Sequence, residues 1–321
     1  METTDVSRMQ VITQDHFGGP DVLYMSERAV PEPGPTEVRV RVAAAGVNPV
    51  DLGTRAGGGM ADVIGKPPFV LGWEVSGVVD AVAPGVTRFA VGDEVFGMPL
   101  FPQQAGAYAE FVTGPARHFA LKPKSMDHVH AGALAVCGLT AWQAIVDTAA
   151  VEPGHRVLIH AAGGGVGHLA VQVAKARGAY VIGTARVGKH RTLADLGIDE
   201  AIDYTTTPFE TAVGEVDLVI DLVGGDYAFR SLEVLRPGGL LVYVPSDVMP
   251  DGYDRAAAAK RVRATSILVE PDHAGLQQIA ALVDETALRV LVHETFRLPD
   301  AASAHRLGEE QRTLGKIVLT M

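Results

Sequence analysis

The stretch Arg156-Val157-Leu158-Ile159-His160-Ala161-Ala162-Gly163-Gly164-Gly165-Val166-Gly167 decides the reading of this chain. Four residues of apolar strand run into a glycine-rich turn, and an apolar-periodic helix, Val166 to Ala176, follows at once. Strand, glycine turn and helix in that order open a dinucleotide-binding fold. Glycine serves where the turn is tight and where backbone must approach a pyrophosphate. The N–H groups of the helix start, with the helix dipole behind them, then hold the anion. The common pattern is G-x-G-x-x-G. Here Ala162 stands at its first glycine, ahead of Gly164 and Gly167, and Gly163, Gly165 and Val166 complete the candidate cofactor turn. An ordinary strand-to-helix turn is the competing reading, and the flanking elements weigh against it.

The next strand reads Ala179 to Thr184. An NAD-selective site places Asp or Glu about 20 residues beyond the glycines, on the ribose 2′-OH. This chain has Thr184-Ala185-Arg186 there, then Lys189 and His190, with no carboxylate before Asp195. An acid would repel a 2′-phosphate, whereas Arg186 can pair with it by charge-assisted hydrogen bonds. The expected cofactor is therefore NADPH, with Thr184, Arg186 and Lys189 among its binding residues. The plainer role for Arg186 and Lys189 is to solvate a helix start.

The chain has 321 residues, enough for two domains. Its 27 Lys and Arg against 38 Asp and Glu give a net charge of −11 without a basic cluster. That balance argues against nucleic acid and anionic membranes as partners. The acidic start Met1-Glu2-Thr3-Thr4-Asp5 does not read as a signal peptide, and no apolar run is long enough to span a bilayer. One cysteine excludes an internal disulfide and fits the cytoplasm. Cys137 is read as the start of a helix, where a dipole would lower its pKa, or as a small buried apolar residue.

The first third is β-rich, with short runs such as Val38 to Val42 and Val75 to Val82 between Pro/Gly turns. It suits a compact, partly open barrel. From about Met126 helical periods alternate with six expected strands: Val157–Ile159, Tyr180–Thr184, Glu200–Ile202, Val216–Ile220, Leu240–Val244 and Ser266–Val269. Six alternating strands describe a doubly wound parallel sheet. Arg236-Pro237-Gly238-Gly239 reads as a turn before the fifth. After about Pro271 come helix, strand, helix and strand, which are expected to return to the first domain. The expected division is 1–125 with 271–321, and 126–270.

Several segments carry a resemblance over nearly the whole chain. They are Gly46-Val47-Asn48-Pro49-Val50-Asp51, Leu71 to Val79, Val91 to Gly97, Gly106 to Phe111, Gly138 to Trp142, the glycine motif and Gly315-Lys316-Ile317-Val318-Leu319. Together they resemble a zinc-free medium-chain dehydrogenase/reductase of the quinone oxidoreductase group. The resemblance implies an α/β protein with a GroES-like, β-rich catalytic domain and a Rossmann doubly wound parallel sheet. It also implies NADPH, a substrate cleft between the domains and a homodimer. Zinc relatives carry a cysteine after the first-domain strand and a Gly-His-Glu sequence. Here Asn48-Pro49-Val50 and Trp73 stand in those places. Zinc sites need several N or S donors, and His128-Val129-His130 lacks further ligands in sequence, so no metal is expected.

By the same resemblance, Asn48 is the pocket asparagine and Thr140 lies near the nicotinamide; these are the candidate catalytic residues. A turn-forming Asn and a helix-start hydroxyl are their plain alternatives. Tyr204 lies against the adenosine end, with a packing tyrosine as its alternative. Val244, Ser246 and the residues around Val269 hold the carboxamide, and Lys316 joins the cofactor set. Gly53 occupies a position where the family often has tyrosine. The pocket is then wider, and Gly57-Gly58-Gly59 is expected to be mobile. Asp51 and Arg55 are expected to form a structural pair.

Without a Lewis acid an isolated carbonyl is poorly polarised for hydride attack. A conjugated acceptor spreads the arriving charge, so quinones and α,β-unsaturated carbonyl compounds suit such a site. The first expectation is an NADPH-dependent quinone reductase. The alternatives are a reductase of enone or enoyl-thioester double bonds and, in another class, an NADPH-binding redox sensor. The strand at Ser266–Val269 is expected to leave an apolar edge for a two-fold partner.

Overall fold

In the computed structural model, which describes residues 7–245 and 249–321, the largest sheet is built around the strand Glu37–Val47. Val38, Val40 and Val42 alternate inward, and from Ala44 to Val47 every residue is buried. This strand pairs antiparallel with Val75–Val82, Phe111–Pro115 and Lys316–Thr320. Val292–Arg297, Glu94–Gly97 and Phe119–Leu121 complete a seven-stranded sheet. A smaller sheet joins Tyr24–Ala29, Arg8–Gln14 and Phe69–Val70. The tail supplies helix His273–Asp284, strand Val292–Arg297, helix Ala301–Glu309 and strand Lys316–Thr320. Its two strands are parallel to each other and lie in this first unit's sheet.

The first unit comprises residues up to 136, with 270–284 and 290–321; the second comprises 137–269 and 285–289. Residues 126–136 therefore pack with the first unit, past the sequence boundary at 125. His128 Nδ1 lies 2.8 Å from Ser76 Oγ in one of its strands, and Gly132 sits directly on Ala44.

The second unit carries six parallel strands in the order Glu200–Ile202, Tyr180–Thr184, Arg156–Ile159, Val216–Asp221, Leu235–Tyr243, Arg263–Ser266. Numbered along the chain this is 3-2-1-4-5-6, the doubly wound order whose ligand crevice lies at the carboxyl ends of the strands. Central strands are buried on both faces, so they read as unbroken apolar runs such as Val157-Leu158-Ile159. The sixth strand departs from expectation. It is Arg263-Ala264-Thr265-Ser266, paired with Leu240–Tyr243, and Val269 lies beyond its end. An edge strand has one open side, so polar residues serve, and its rim is not apolar. Arg236–Gly239 also differs: it is a bulge inside the fifth strand, between the pairs Val216–Leu235 and Leu218–Leu240.

Candidate functional site

In the second unit, strand Arg156–Ile159 ends and His160 N–H still bonds Ile220 O. Ala161 then adopts a left-handed φ of 49°. Its carbonyl accepts the Gly164 N–H at 2.8 Å. A Cβ on Gly167 would lie 2.3 Å from that same oxygen, so only glycine fits where the helix Gly167–Ala176 begins. Ala162 is fully buried, and its N–H bonds Thr184 O at 3.0 Å. A methyl fits at this motif position because Gly183 faces it: a Cβ there would come within 2.6 Å of Ala162 Cβ.

At the end of the next strand Thr184 is buried, its hydroxyl beside His160 Nδ1 and the Ala161 N–H, each at 3.2 Å. Arg186 is exposed and its Nε donates to Tyr204 Oη at 3.1 Å. Lys189 is half-buried, and burial together with the neighbouring Arg186 charge pulls its pKa down. The structure thus brings together three of the sequence candidates, two cations and a phenol. Asp203, which sequence reasoning missed, comes to the same place; its carboxylate is held by Thr205 and the Val187 N–H and titrates below its usual range. Val244 N–H bonds Asp221 O, and Asp221 Oδ1 accepts the Val223 and Gly224 N–H groups at 2.9 Å. Val269 is half-buried, Thr140 is buried in helix Ala135–Trp142, and Ser246 lies outside the described residues. Cys137 is the third residue of that helix rather than its start, and it is buried.

In the first unit the decisive group is Glu74, fully buried and given no role from sequence. Its Oε2 accepts from Asn48 Nδ2 at 2.9 Å and from Lys316 Nζ at 2.8 Å, and its Oε1 accepts from the Val136 N–H at 2.8 Å. Lys316 also donates to Asn48 Oδ1. Asn48, Glu74 and Lys316 therefore form one buried triad. The signal for Glu74 was its place in Gly72-Trp73-Glu74, the segment set against the zinc relatives' Gly-His-Glu. Trp73 itself is buried and donates to Gln103 O at 2.6 Å.

Asn48 also caps helix Pro49–Ala56. Its N–H donates to Asp51 Oδ2 at 2.8 Å, which turns that carboxylate toward the helix start. The expected Asp51–Arg55 pair is therefore not made. Arg55 points the other way, to Gly18 O, His305 Nδ1 and Glu309 Oε1. Burial is the main force lifting Asp51 to a pKa of about 7. It also drives His305 down to about 3, with Arg55 adding to the effect. Tyr108 Oη lies 3.2 Å from His305 Nε2. The Gly57–Gly59 stretch, expected to be mobile, is tied back onto this helix. Gly58 N–H bonds Gly53 O at 2.8 Å, Met60 N–H bonds Thr54 Oγ1, and Gly59 packs 3.4–3.5 Å from where a Gly53 Cβ would stand.

His128 and His130 point to separate partners: Ser76 and Glu94 for one, Asp127 for the other. Among the described residues no group of three or more His, Cys, Asp or Glu is placed to hold a metal ion, and no helix is long and apolar enough to cross a membrane.

Comparison with known proteins bears on both units. Residues 34–124 match the alcohol dehydrogenase GroES-like domain, and residues 196–319 match the zinc-binding dehydrogenase model. A 2-haloacrylate reductase from Burkholderia sp is 37% identical over 323 residues, covering 94% of this chain and 96% of that one. Quinone oxidoreductase from Coxiella burnetii superposes with a TM-score of 0.92 at 36% identity, over 98% of this chain and all of that one. The Escherichia coli quinone oxidoreductase complexed with NADPH superposes at 0.87 with 28% identity, over 97% and 100%.

Proposed function

Since the chain belongs to the zinc-independent medium-chain dehydrogenases/reductases of the quinone oxidoreductase group and is an NADPH-dependent oxidoreductase, we propose that its acceptor is an activated carbon–carbon double bond, as in an enone, enoate or enoyl thioester. The observation that carries the cofactor side is the meeting of Arg186, Lys189 and Tyr204 just past the second strand, where the neighbouring Asp203 carboxylate is engaged by Thr205 and the Val187 N–H. Arg186, Lys189 and Tyr204 receive the 2′-phosphate and adenosine, and the turn from Ala162 to Gly167 receives the pyrophosphate. The fit is physical: a side chain at Gly167 would fill the turn, and two adjacent cations are unfavourable until an anion joins them. Thr140, Val244, Ser246 and Val269 are assigned to the nicotinamide end.

NADPH, when bound there, would supply the hydride. Asn48 presents its amide to the acceptor oxygen, where charge gathers as hydride reaches the β-carbon, and solvent protonates the resulting enolate at the α-carbon. Glu74 and Lys316 fix that amide from both sides, and the Lys316 ammonium strengthens it as a donor. Asn48 and Trp73 occupy the places where zinc relatives hold ligands, so the acceptor must delocalise its own charge. That requirement suits conjugated substrates, and the 2-haloacrylate reductase relative moves the double bond ahead of the quinone. Quinone reduction is the second reading, favoured by the likeness to the Coxiella burnetii enzyme. The lone, buried Cys137 suits a reducing compartment such as the cytoplasm.

The test follows NADPH oxidation with an enone and a naphthoquinone at equal concentration. Faster enone turnover is expected. Faster quinone turnover would reverse the order of the two readings, and neither reaction with intact NADPH binding would overturn both.

A further inference from the structure

A directed chain of hydrogen bonds runs behind the glycine turn, from Ser231 through His160, neither given a function above, to the cofactor candidate Thr184. Ser231 Oγ lies 2.6 Å from Tyr227 O, and a carbonyl can only accept, so the single hydroxyl proton of Ser231 points there. His160 Nε2, 3.0 Å from the same Oγ, must then be the protonated nitrogen. His160 and Ser231 are both fully buried. Burial, aided by Arg230 and opposed by Glu210, drives the imidazole down to about 3, so it is neutral and carries one N–H. Its Nδ1 is then an acceptor and takes the Thr184 hydroxyl proton at 3.2 Å. Thr184 Oγ1 is left to accept the Ala161 N–H, also at 3.2 Å. Every proton in the chain has one place to go. The imidazole is clamped by the rings of Phe209 and Tyr227, at centroid distances of 4.5 and 4.9 Å.

The end of this chain is the residue that shapes the turn. Ala161 holds a left-handed φ of 49°, which a side chain disfavours, and its carbonyl receives Gly164. We propose that His160, with Thr184 and Ser231, is a positioning residue for the cofactor pyrophosphate, holding Ala161 in the conformation that opens the glycine turn. The proposal rests on the NADPH reading of that turn. Its consequence is selective: ligands that contact the pyrophosphate cradle feel the chain, and ligands confined to the 2′-phosphate end do not.

The experiment measures binding of NADPH and of adenosine 2′-phosphate, which has no pyrophosphate, to wild type and to Thr184→Val, Thr184→Ser and Ser231→Ala. Amide exchange of the 160–167 segment is followed in the absence of ligand. Thr184→Val should weaken NADPH about tenfold, equivalent to about 1.4 kcal/mol. It should change adenosine 2′-phosphate less than twofold and speed exchange in the segment. Thr184→Ser, which keeps the hydroxyl, should restore NADPH binding, and Ser231→Ala should weaken NADPH in the same selective way. The proposal is overturned if Thr184→Val and Ser231→Ala both bind NADPH within twofold of wild type, or if the two ligands weaken in parallel. A wild-type protein that fails to bind NADPH would overturn the functional reading first, before any variant is compared.

Discussion

Arg186→Ala should separate the two nicotinamide cofactors. The guanidinium is exposed, but its Nε is anchored on Tyr204 Oη at 3.1 Å, so its two terminal nitrogens are turned in one direction. A hydrogen bond to a charged group contributes about 1.5–3 kcal/mol. Exposure and salt screening place this contact near the lower end, at about 2 kcal/mol, or about thirtyfold in Kd for NADPH. NADH has no 2′-phosphate, so its affinity should change less than about twofold. Lys189 limits the loss. Arg186 is one cause of its depressed pKa, so removing Arg186 leaves the remaining ammonium more firmly charged. Tyr204→Phe should cost about threefold, because it frees Arg186 without removing its charge. Fluorescence titration at about 0.1 M and again at higher salt would measure this, and the gap between the cofactors should narrow as salt rises. Equal losses of NADPH and NADH affinity in Arg186→Ala would refute the argument.

Three further outcomes follow from the first unit and the sheet edge. Lys316→Met strands the buried Glu74 carboxylate and should destabilise the first unit by about 3–5 kcal/mol, whereas pairing it with Glu74→Gln should recover much of that; urea unfolding of the single and double variants checks the coupling. His305, neutral in the fold with its pKa near 3, binds fewer protons there than in the unfolded chain, where it titrates near 6.5. Its contribution is therefore lost as pH falls from about 6.5 towards 3, and His305→Gln should lose less stability than wild type between pH 7 and 5; identical urea-midpoint shifts would remove His305 from the account. The open edge at Arg263–Ser266, followed by Leu268 at 53% exposure, should pair with a second copy; sedimentation showing only monomer at micromolar concentration would exclude that dimer.

The four inner parallel strands were legible because burial on both faces writes itself as a largely apolar run, and Glu200–Ile202 at one edge was placed as well. The sixth was not. Arg263-Ala264-Thr265-Ser266 has an open side and carries little apolar signal, while Ile267-Leu268-Val269 imitates a buried strand and only trails its end. The glycine turn and the Arg186 position could be read because their spacing is local. Arg55 could not. Helical spacing offered Asp51 four residues away, but Asp51 was committed to the helix cap, and the carboxylate that Arg55 reaches is Glu309. Glu74 and Lys316 were equally hidden, being 242 positions apart and joined only by the pairing of distant strands. Local chemistry was visible in the chain; partnership across it was not.

The alanine at the head of the motif changes how such a motif should be recognised. Ala162, in the turn, carries one methyl, and Gly183, in the next strand, leaves the room for it. The space at this crossing admits one side-chain carbon, so the two positions share a single allowance of bulk. A search that demands glycine at the first place will discard chains like this one. A search that scores positions 162 and 183 as a single site will keep them, and will reject those in which both carry a side chain.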